Sequence, residues 1–317
     1  MRPPALPPAL PAALAALAAA LLALAACSTA PKPRTEVVAR KDQAAEYAAA
    51  GNARYALGDY RQAQTLFALA LNENIAVDAE EGIAVSCNSL GKVHLALGEL
   101  DAAERYFREA RRLAERRADR RLAAQSASNL GELYLARGQA EQAEESLLEA
   151  AAQLPAKDPG PEGAIIFHNL GSVLKRRERL PEALGYFEQA LAINLQHKRY
   201  EEAASNYYMI ASIQSKQGDT GTAIRTLNQA LHYDRLMEKS LGIAKDLAAL
   251  GALYRKQGEE AAALDSYRRS LQVYQSLSLG QEARRLLPPL IELAERAGFS
   301  DEAQAYRRLA AAPEGKD

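Results

Sequence analysis

Residues forty positions apart share their chemistry along most of this chain. One column of small residues holds Gly51, Gly91, Gly131, Gly171, Ala211 and Gly251. A second column holds Gly58, Gly98, Gly138, Glu178, Gly218, Gly258 and Gly298. A third contains only alanine, at Ala63, Ala103, Ala143, Ala183, Ala223, Ala263 and Ala303. Self-similarity at a fixed period of this length predicts an array of stacked repeats, each packed against its neighbours.

Each repeat carries two apolar patterns of helical spacing. In the second repeat, Leu90, Val93 and Leu97 share one helix face, and Ala103 and Phe107 share the next. Alanine, leucine, glutamate and arginine, which are strong helix formers, dominate the composition. Forty residues less two short turns leave about 17 residues per helix, or roughly 25 Å. The sequence therefore predicts an all-α protein.

The two glycine columns have different expected roles. Gly98 and its equivalents follow a helix, where glycine readily adopts the left-handed conformation that ends it. Gly91 and its equivalents lie inside a helix, where glycine costs about 1 kcal/mol relative to alanine. We expect close helix approach to offset that cost. A bulky column then fills the space beside the small one, at Phe67, Phe107, Leu147, Phe187, Leu227 and Tyr267.

This pattern resembles the tetratricopeptide repeat, through Leu90-Gly91, Gly98, Ala103 and Phe107 and their equivalents in the next copy. That family usually has a period of 34. The period of forty is similar to the long-helix repeats of kinesin light chains and bacterial peptide-sensing regulators. The resemblance implies a right-handed α-solenoid of seven helix-turn-helix repeats with a concave inner face. We expect the solenoid to span 36–317, with repeats near 44–83, 84–123, 124–163, 164–203, 204–243, 244–283 and 284–317.

Two segments should interrupt the helical pattern. Pro288 and Pro289 fall inside the first helix of the last repeat and should kink or split it. The segment 154–163 contains three prolines and two glycines, so it is not expected to be helical throughout. We expect a hinge there, between the third and fourth repeats.

The amino terminus has the features of a targeting signal. Residues 1–26 form an alanine-leucine run after Arg2, which suits a secretion signal peptide. The run ends in Leu24-Ala25-Ala26-Cys27, which resembles the lipobox of bacterial lipoproteins. That resemblance implies a lipidated Cys27, with 27–35 as an extended tether. Because Ser28 is not aspartate, it also implies outer-membrane anchoring in the bacterial cell envelope, facing the periplasm.

The resemblance further implies that first helices line the groove where partners bind. The candidate groove residues are Asn88, Lys92, Asn129, Glu132, His168, Asn169, Lys175, Tyr208, Lys216 and Arg255. The four-residue segments that end at Gly131 and Gly171 are similar to segments of kinesin-light-chain repeats. In those repeats the asparagines bind the backbone of an extended peptide. An amide can both donate and accept hydrogen bonds, so two roles stay open: partner binding, or bridging of neighbouring helices. The basic edge around Lys175 and Lys216 could likewise attract an acidic partner or be a solvated face.

Composition argues against several functions. The formal net charge of -1 gives no basic footprint for nucleic acid. Two cysteines and four scattered histidines predict neither a disulfide framework nor a metal site. No acid, base and nucleophile occur in a catalytic pattern, so we expect no catalytic residue, no cofactor and no small-molecule substrate.

The leading hypothesis is a membrane-tethered scaffold for protein–protein interaction. It would hold a partner protein or extended peptide in the groove, in envelope, secretion or pilus assembly. A peptide-sensing regulatory receptor is the alternative. An enzyme, such as a hydrolase, or an enzyme accessory is the least favoured class.

Overall fold

The computed structural model describes residues 35–311. The predicted signal, Cys27 and most of the tether lie outside this range. The described helices are α1 (Glu36–Ala56), α2 (Tyr60–Ala76), α3 (Glu80–Ala96), α4 (Leu100–Arg116), α5 (Arg120–Ala136), α6 (Ala140–Gln153), α7 (Gly160–Arg176), α8 (Leu180–Gln196), α9 (Tyr200–Lys216), α10 (Thr220–Leu236), α11 (Ser240–Gln257), α12 (Glu260–Ser276), α13 (Gly280–Arg285), α14 (Leu287–Arg296) and α15 (Ser300–Ala311). Over these residues the fold is the predicted all-α, right-handed solenoid.

Consecutive helices pack as pairs, from α1 with α2 to α11 with α12. Most are 17 residues long, which confirms the length expected from the period. The first helices begin at residues 80, 120, 160, 200 and 240, about four residues before the repeat boundaries expected above. The offset arises because turn residues set the helix ends, whereas those boundaries came from small residues inside the helices.

Nearly every turn between helices contains one residue in the left-handed backbone conformation. Gly58, Gly98, Gly138, Gly218, Gly258 and Gly298 have φ between 75° and 91°, as the second glycine column predicted. Glu178 takes the same conformation at φ 57° without being glycine. The turns between repeats use other side chains at this position: Asp78, Ala118, Lys198, Glu238 and Ser278. Such residues cost about 1–2 kcal/mol each in this region, so packing of the helices on either side must maintain these turns.

The first glycine column allows close contact between paired helices. A Cβ atom added at Gly51 would lie 2.7 Å from Phe67 Cε1, and one at Gly251 would lie 2.8 Å from Tyr267 Cδ1. At Gly91 it would approach the Phe107 ring more closely still. Such distances are too short for real Cβ atoms. The predicted pairing of a small and a bulky column is therefore confirmed.

Both predicted interruptions are present. Helix α6 ends at Gln153 and α7 begins at Gly160, so 154–159 form a longer connection than the turns elsewhere. The first helix of the last repeat breaks at Leu286, directly before Leu287 and Pro288 begin α14. Proline near the first position of a helix needs no amide hydrogen bond, which explains why the new helix starts there.

In the first half of the array, first helices of successive repeats contact one another, as α3 does with α5 and α5 with α7. Second helices do not do so to the same extent. In a curved stack, the elements at the smaller radius lie closer together. The first helices therefore form the inner face of the solenoid. The candidate groove residues belong to these helices. No helix among residues 35–311 is long and apolar enough to cross a membrane.

Candidate functional site

In the second to sixth repeats, the inner face presents an exposed position near the start of the first helix. These positions, again forty residues apart, are Val85, Gln125, Ile165, Ser205 and Lys245. We call the solvent-accessible side of helices α1, α3, α5, α7, α9 and α11 the groove face. All ten candidate residues lie on these helices.

Asn88 and Asn129 connect the first helices of two neighbouring repeats. Asn129 Nδ2 donates to Asn88 Oδ1 at 3.1 Å, and Asn88 Nδ2 donates to Ser126 Oγ at 3.0 Å. Both asparagines are buried. Their amides therefore bridge helices, which is the second of the two roles left open by the sequence.

The next repeats continue this polar ladder with other residue types. Asn169 Nδ2 donates to Glu132 Oε1 at 2.9 Å. Asn206 Nδ2 lies 3.0 Å from His168 Nδ1. Burial, with a smaller contribution from Lys175, lowers the pKa of His168, so its ring is neutral at pH 7. These contacts hold successive first helices at fixed positions, while Asn169, Glu132 and His168 stay partly accessible.

Lys175 is a half-buried cation in the middle of the groove face. Its Nζ donates to Ser212 Oγ at 2.8 Å and lies 3.6 Å from Met209 Sδ. Within residues 35–311, no carboxylate lies within ion-pair distance of this amine. Burial and the nearby charge of Lys216 lower the pKa of Lys175. A carboxylate from another molecule would compensate both effects.

The remaining basic candidates have partners within the chain. Lys216 Nζ lies 3.0 Å from Glu178 Oε1, and Arg255 lies 3.0 Å from Glu292. Lys92 Nζ lies 5.5 Å from the centre of the Tyr55 ring, in a cation–π arrangement. Lys216 and Arg255 of the predicted basic edge are therefore ion-paired, whereas Lys175 is not.

Two neighbouring cavities open between α9 and α11, where first helices share fewer contacts than in the first half of the array. The apolar cavity, of about 240 Å³, has walls that include Ala211, Leu227, Ala249 and Leu253. It forms where Ala211 and Leu227 replace the glycine and the aromatic ring of other repeats. Tyr208 lines both cavities. Burial raises the pKa of Tyr208, so its hydroxyl stays protonated.

The second cavity, of about 360 Å³, contains two carboxyl groups that the sequence analysis did not identify. Asp234, at the end of α10, faces Asp246, in α11, and both are buried. Burial and the charge of Asp234 raise the pKa of Asp246 to about 8. The two carboxyl groups therefore share a proton at neutral pH. The signal in the sequence was a polar pair twelve residues apart that recurs as Asn194 and Asn206.

Among residues 35–311, no group of three or more metal-ligating side chains is placed to hold an ion. Cys87 is buried, and burial raises the pKa of its thiol to about 11, so it is not a nucleophile at neutral pH.

Two models of the tetratricopeptide repeat match this chain. One matches residues 80–156 and 162–235, and the other matches 247–278, so together they account for more than half of the chain. Neither describes a catalytic family. The chain is also similar to Tetratricopeptide repeat protein 29 of Trypanosoma brucei brucei, with 27% identity over 135 residues. That match covers 41% of this chain and only 28% of the relative.

Solved structures share the architecture at low sequence identity. BtubC (BKLC) from P. vanneervenii has a TM-score of 0.58 and 22% identity, covering 69% of this chain and 94% of that one. A Rap protein complexed with Competence and Sporulation Factor has a TM-score of 0.60 and 17% identity, covering 83% and 72%. Pseudomonas aeruginosa pilF has a TM-score of 0.57 and 21% identity, covering 78% and 97%. These similarities establish the fold.

Proposed function

The chain belongs to the tetratricopeptide repeat family, and on that premise we propose that it binds an extended segment of a partner protein along the groove face. Binding modules of this kind position other proteins and need no catalytic group. The proposal concerns the first helices, which line the cavities and carry exposed positions at a spacing of forty residues.

The observation that carries the proposal is the environment of Lys175, which is half-buried and has no ion-pair partner among residues 35–311. A half-buried ammonium group whose hydrogen-bonding partners are a hydroxyl and a thioether loses hydration, and the charge of Glu178, beyond ion-pair distance, offsets that loss only in part. A carboxylate from a bound segment would restore that charge balance. An acidic residue of the partner is therefore expected near Ser212 and Lys175.

We further propose that the protein acts as a scaffold tethered to the outer membrane and facing the periplasm. This proposal rests on the resemblance of residues 24–27 to a lipobox, with Cys27 as the lipidated residue. A tether of nine residues, 27–35, would keep the groove close to the membrane surface. Secretion and pilus assembly are settings in which such a scaffold would act.

Site-specific photo-crosslinking in cells tests the binding face. A photoreactive residue at Gln125, which is exposed on the groove face, should crosslink a defined partner. The same residue at Gln189, which is exposed on second helix α8, is the matched control. Lys175→Glu should reduce crosslinking from Gln125 several-fold. Equal capture from both positions, unaffected by Lys175→Glu, would contradict groove binding.

A peptide-sensing receptor is the second candidate, since a Rap protein of similar fold is complexed with Competence and Sporulation Factor. A short soluble peptide would then close the solenoid around itself. Small-angle scattering separates the two proposals, because a sensor should become more compact when peptide binds and a scaffold should keep its dimensions.

A further inference from the structure

The carboxyl groups of Asp234 and Asp246, the acid pair, lack a positively charged partner. Asp246 is only 2% exposed, and its Oδ2 atom is enclosed without a hydrogen-bond partner. No basic group among residues 35–311 lies within ion-pair distance of either carboxyl. Buried charges in proteins are normally paired with an opposite charge, whereas these two carboxyl groups have only each other.

Other repeats show that this position does not need carboxyl groups for folding. Asn194 Nδ2 donates to Asn206 Oδ1 at 2.8 Å in the preceding repeat. Near the amino terminus, Asn74 Nδ2 donates to Ser86 Oγ at 3.2 Å. A neutral amide fulfils the structural role in both cases. The acid pair therefore departs from the pattern of the array.

The acid pair lies in the wall of a cavity that reaches the groove face. Ala204, Ser205, Tyr208 and Met209 of α9 form one side, and Lys245 lies on the other. Ser205 and Lys245 are exposed, so the cavity opens where a bound segment would run. The neighbouring apolar cavity shares Tyr208 with it.

We propose that the acid pair receives the ammonium or guanidinium group of a lysine or arginine from the partner segment, while an aliphatic side chain of the same segment fills the apolar cavity. This inference rests on the proposed function and names the chemistry of the partner. A cation that enters the cavity donates to the carboxyl oxygens in its wall and compensates their charge.

The spacing of the two side chains follows from the helix. The acid cavity is lined by 242–246 of α11 and the apolar cavity by 249–253, about seven residues further on. Seven helical residues span roughly 10 Å. An extended segment covers about 3.3 Å per residue, so the basic and aliphatic residues lie about three positions apart.

The surrounding charges make binding depend on pH. Glu201 of α9 faces Asp234 but is paired with Lys239 at 2.5 Å, and Lys245 is exposed at the mouth. Tyr208 and Tyr274, which face Asp246 from α9 and α12, stay neutral because burial raises their pKa. An incoming cation favours the doubly ionised pair and expels its shared proton. Affinity should therefore rise as pH increases from 6 towards 9.

Titration of the full chain with defined peptides tests the inference. The probe is an acetylated octapeptide of glycine and serine with one lysine and, three positions later, one leucine. The matched control carries acetyl-lysine at the lysine position. At pH 8 the lysine peptide should bind at least ten-fold more tightly by NMR titration. Calorimetry in two buffers of different ionisation heat should show release of about one proton.

Asp246→Asn and Asp234→Asn should each abolish the ten-fold preference and the proton release. Equal binding of the two peptides, or an unchanged preference in both variants, would overturn the inference. So would tighter binding of manganese alone or of free spermidine than of the lysine peptide. If the peptides fail while Gln125 still crosslinks a partner, the proposed function stands and the acid-pair inference falls. A bound peptide without crosslinking would instead count against the proposed function.

Discussion

Replacement of Asp246 by asparagine should stabilise the protein at neutral pH and have little effect in acid. The substitution exchanges a buried carboxyl for an amide of nearly the same shape. The new Nδ2 group can donate to Asp234, in the opposite direction to the bond of the preceding repeat, where Asn194 donates to Asn206. The buried pair would then carry one ionisable group instead of two.

The magnitude follows from the raised pKa of Asp246, about 8 in the folded protein against an ordinary value of 3.8. Between these values the folded state holds a proton that the unfolded chain has lost. The free energy of unfolding therefore falls as pH rises, by up to about 1.4 kcal/mol per pH unit. At pH 7 this amounts to at most about 4 kcal/mol, and we expect Asp246→Asn to recover about 2–4 kcal/mol of it. Near pH 4 the difference should vanish.

Urea unfolding followed by circular dichroism at pH 4, 5.5, 7 and 8 measures the effect. Hydrogen exchange in α10 and α11 should report the gain locally, because each repeat of a solenoid depends mainly on its neighbours. Asp265→Asn, which removes an exposed carboxyl, is the control and should show no such pH dependence. A gain at pH 7 that persists unchanged at pH 4, or a loss of stability at pH 7, would refute the reasoning.

Three further predictions concern packing, turns and the anchor. Gly91→Ala should destabilise the protein by about 1–3 kcal/mol, because its Cβ would overlap the Phe107 ring, and adding Phe107→Leu should restore most of the loss in a thermal melt. Ala118→Gly should stabilise by about 1 kcal/mol since φ is 54°, whereas Gly98→Ala, at φ 76° with open space around it, should cost a similar amount in urea unfolding. Cys27→Ser should move the protein from the membrane fraction to the soluble fraction, and unchanged fractionation would contradict lipidation.

The local features of the fold could be predicted from the sequence because the same contacts recur every forty residues. Residues equivalent to Gly91 and Phe107 recur every forty positions, so the two columns indicate a contact within each helix pair. The turn at Ala118 could not be predicted, because alanine carries no preference for a left-handed conformation. There the packing of two repeats determines the backbone conformation, and no single residue type is typical of that position.

The candidate site was harder to predict because its contacts lie between repeats. Asn88 and Asn129 stood out as groove residues, yet whether their amides face a partner or each other depends on how closely two first helices approach. Asp234 and Asp246 are two of 40 acidic residues in a nearly neutral chain, and neither belongs to the columns that define the repeat. Only the packing of α10 against α11 shows that the two carboxyl groups meet and are buried.

The connection at 154–159 has a consequence for cooperativity. In a linear array, the free energy of each repeat includes a coupling to its neighbours, and unfolding spreads as far as that coupling remains strong. Helix α6 is shorter than its equivalents, and it shares a smaller interface with α7 than other second helices share with the repeat that follows them. Among the joints that connect the first six repeats, the coupling through second helices is therefore weakest at this one. The three repeats before it and the four after it should melt as two units, and a protease that cuts between Pro155 and Asp158 should leave both of them folded.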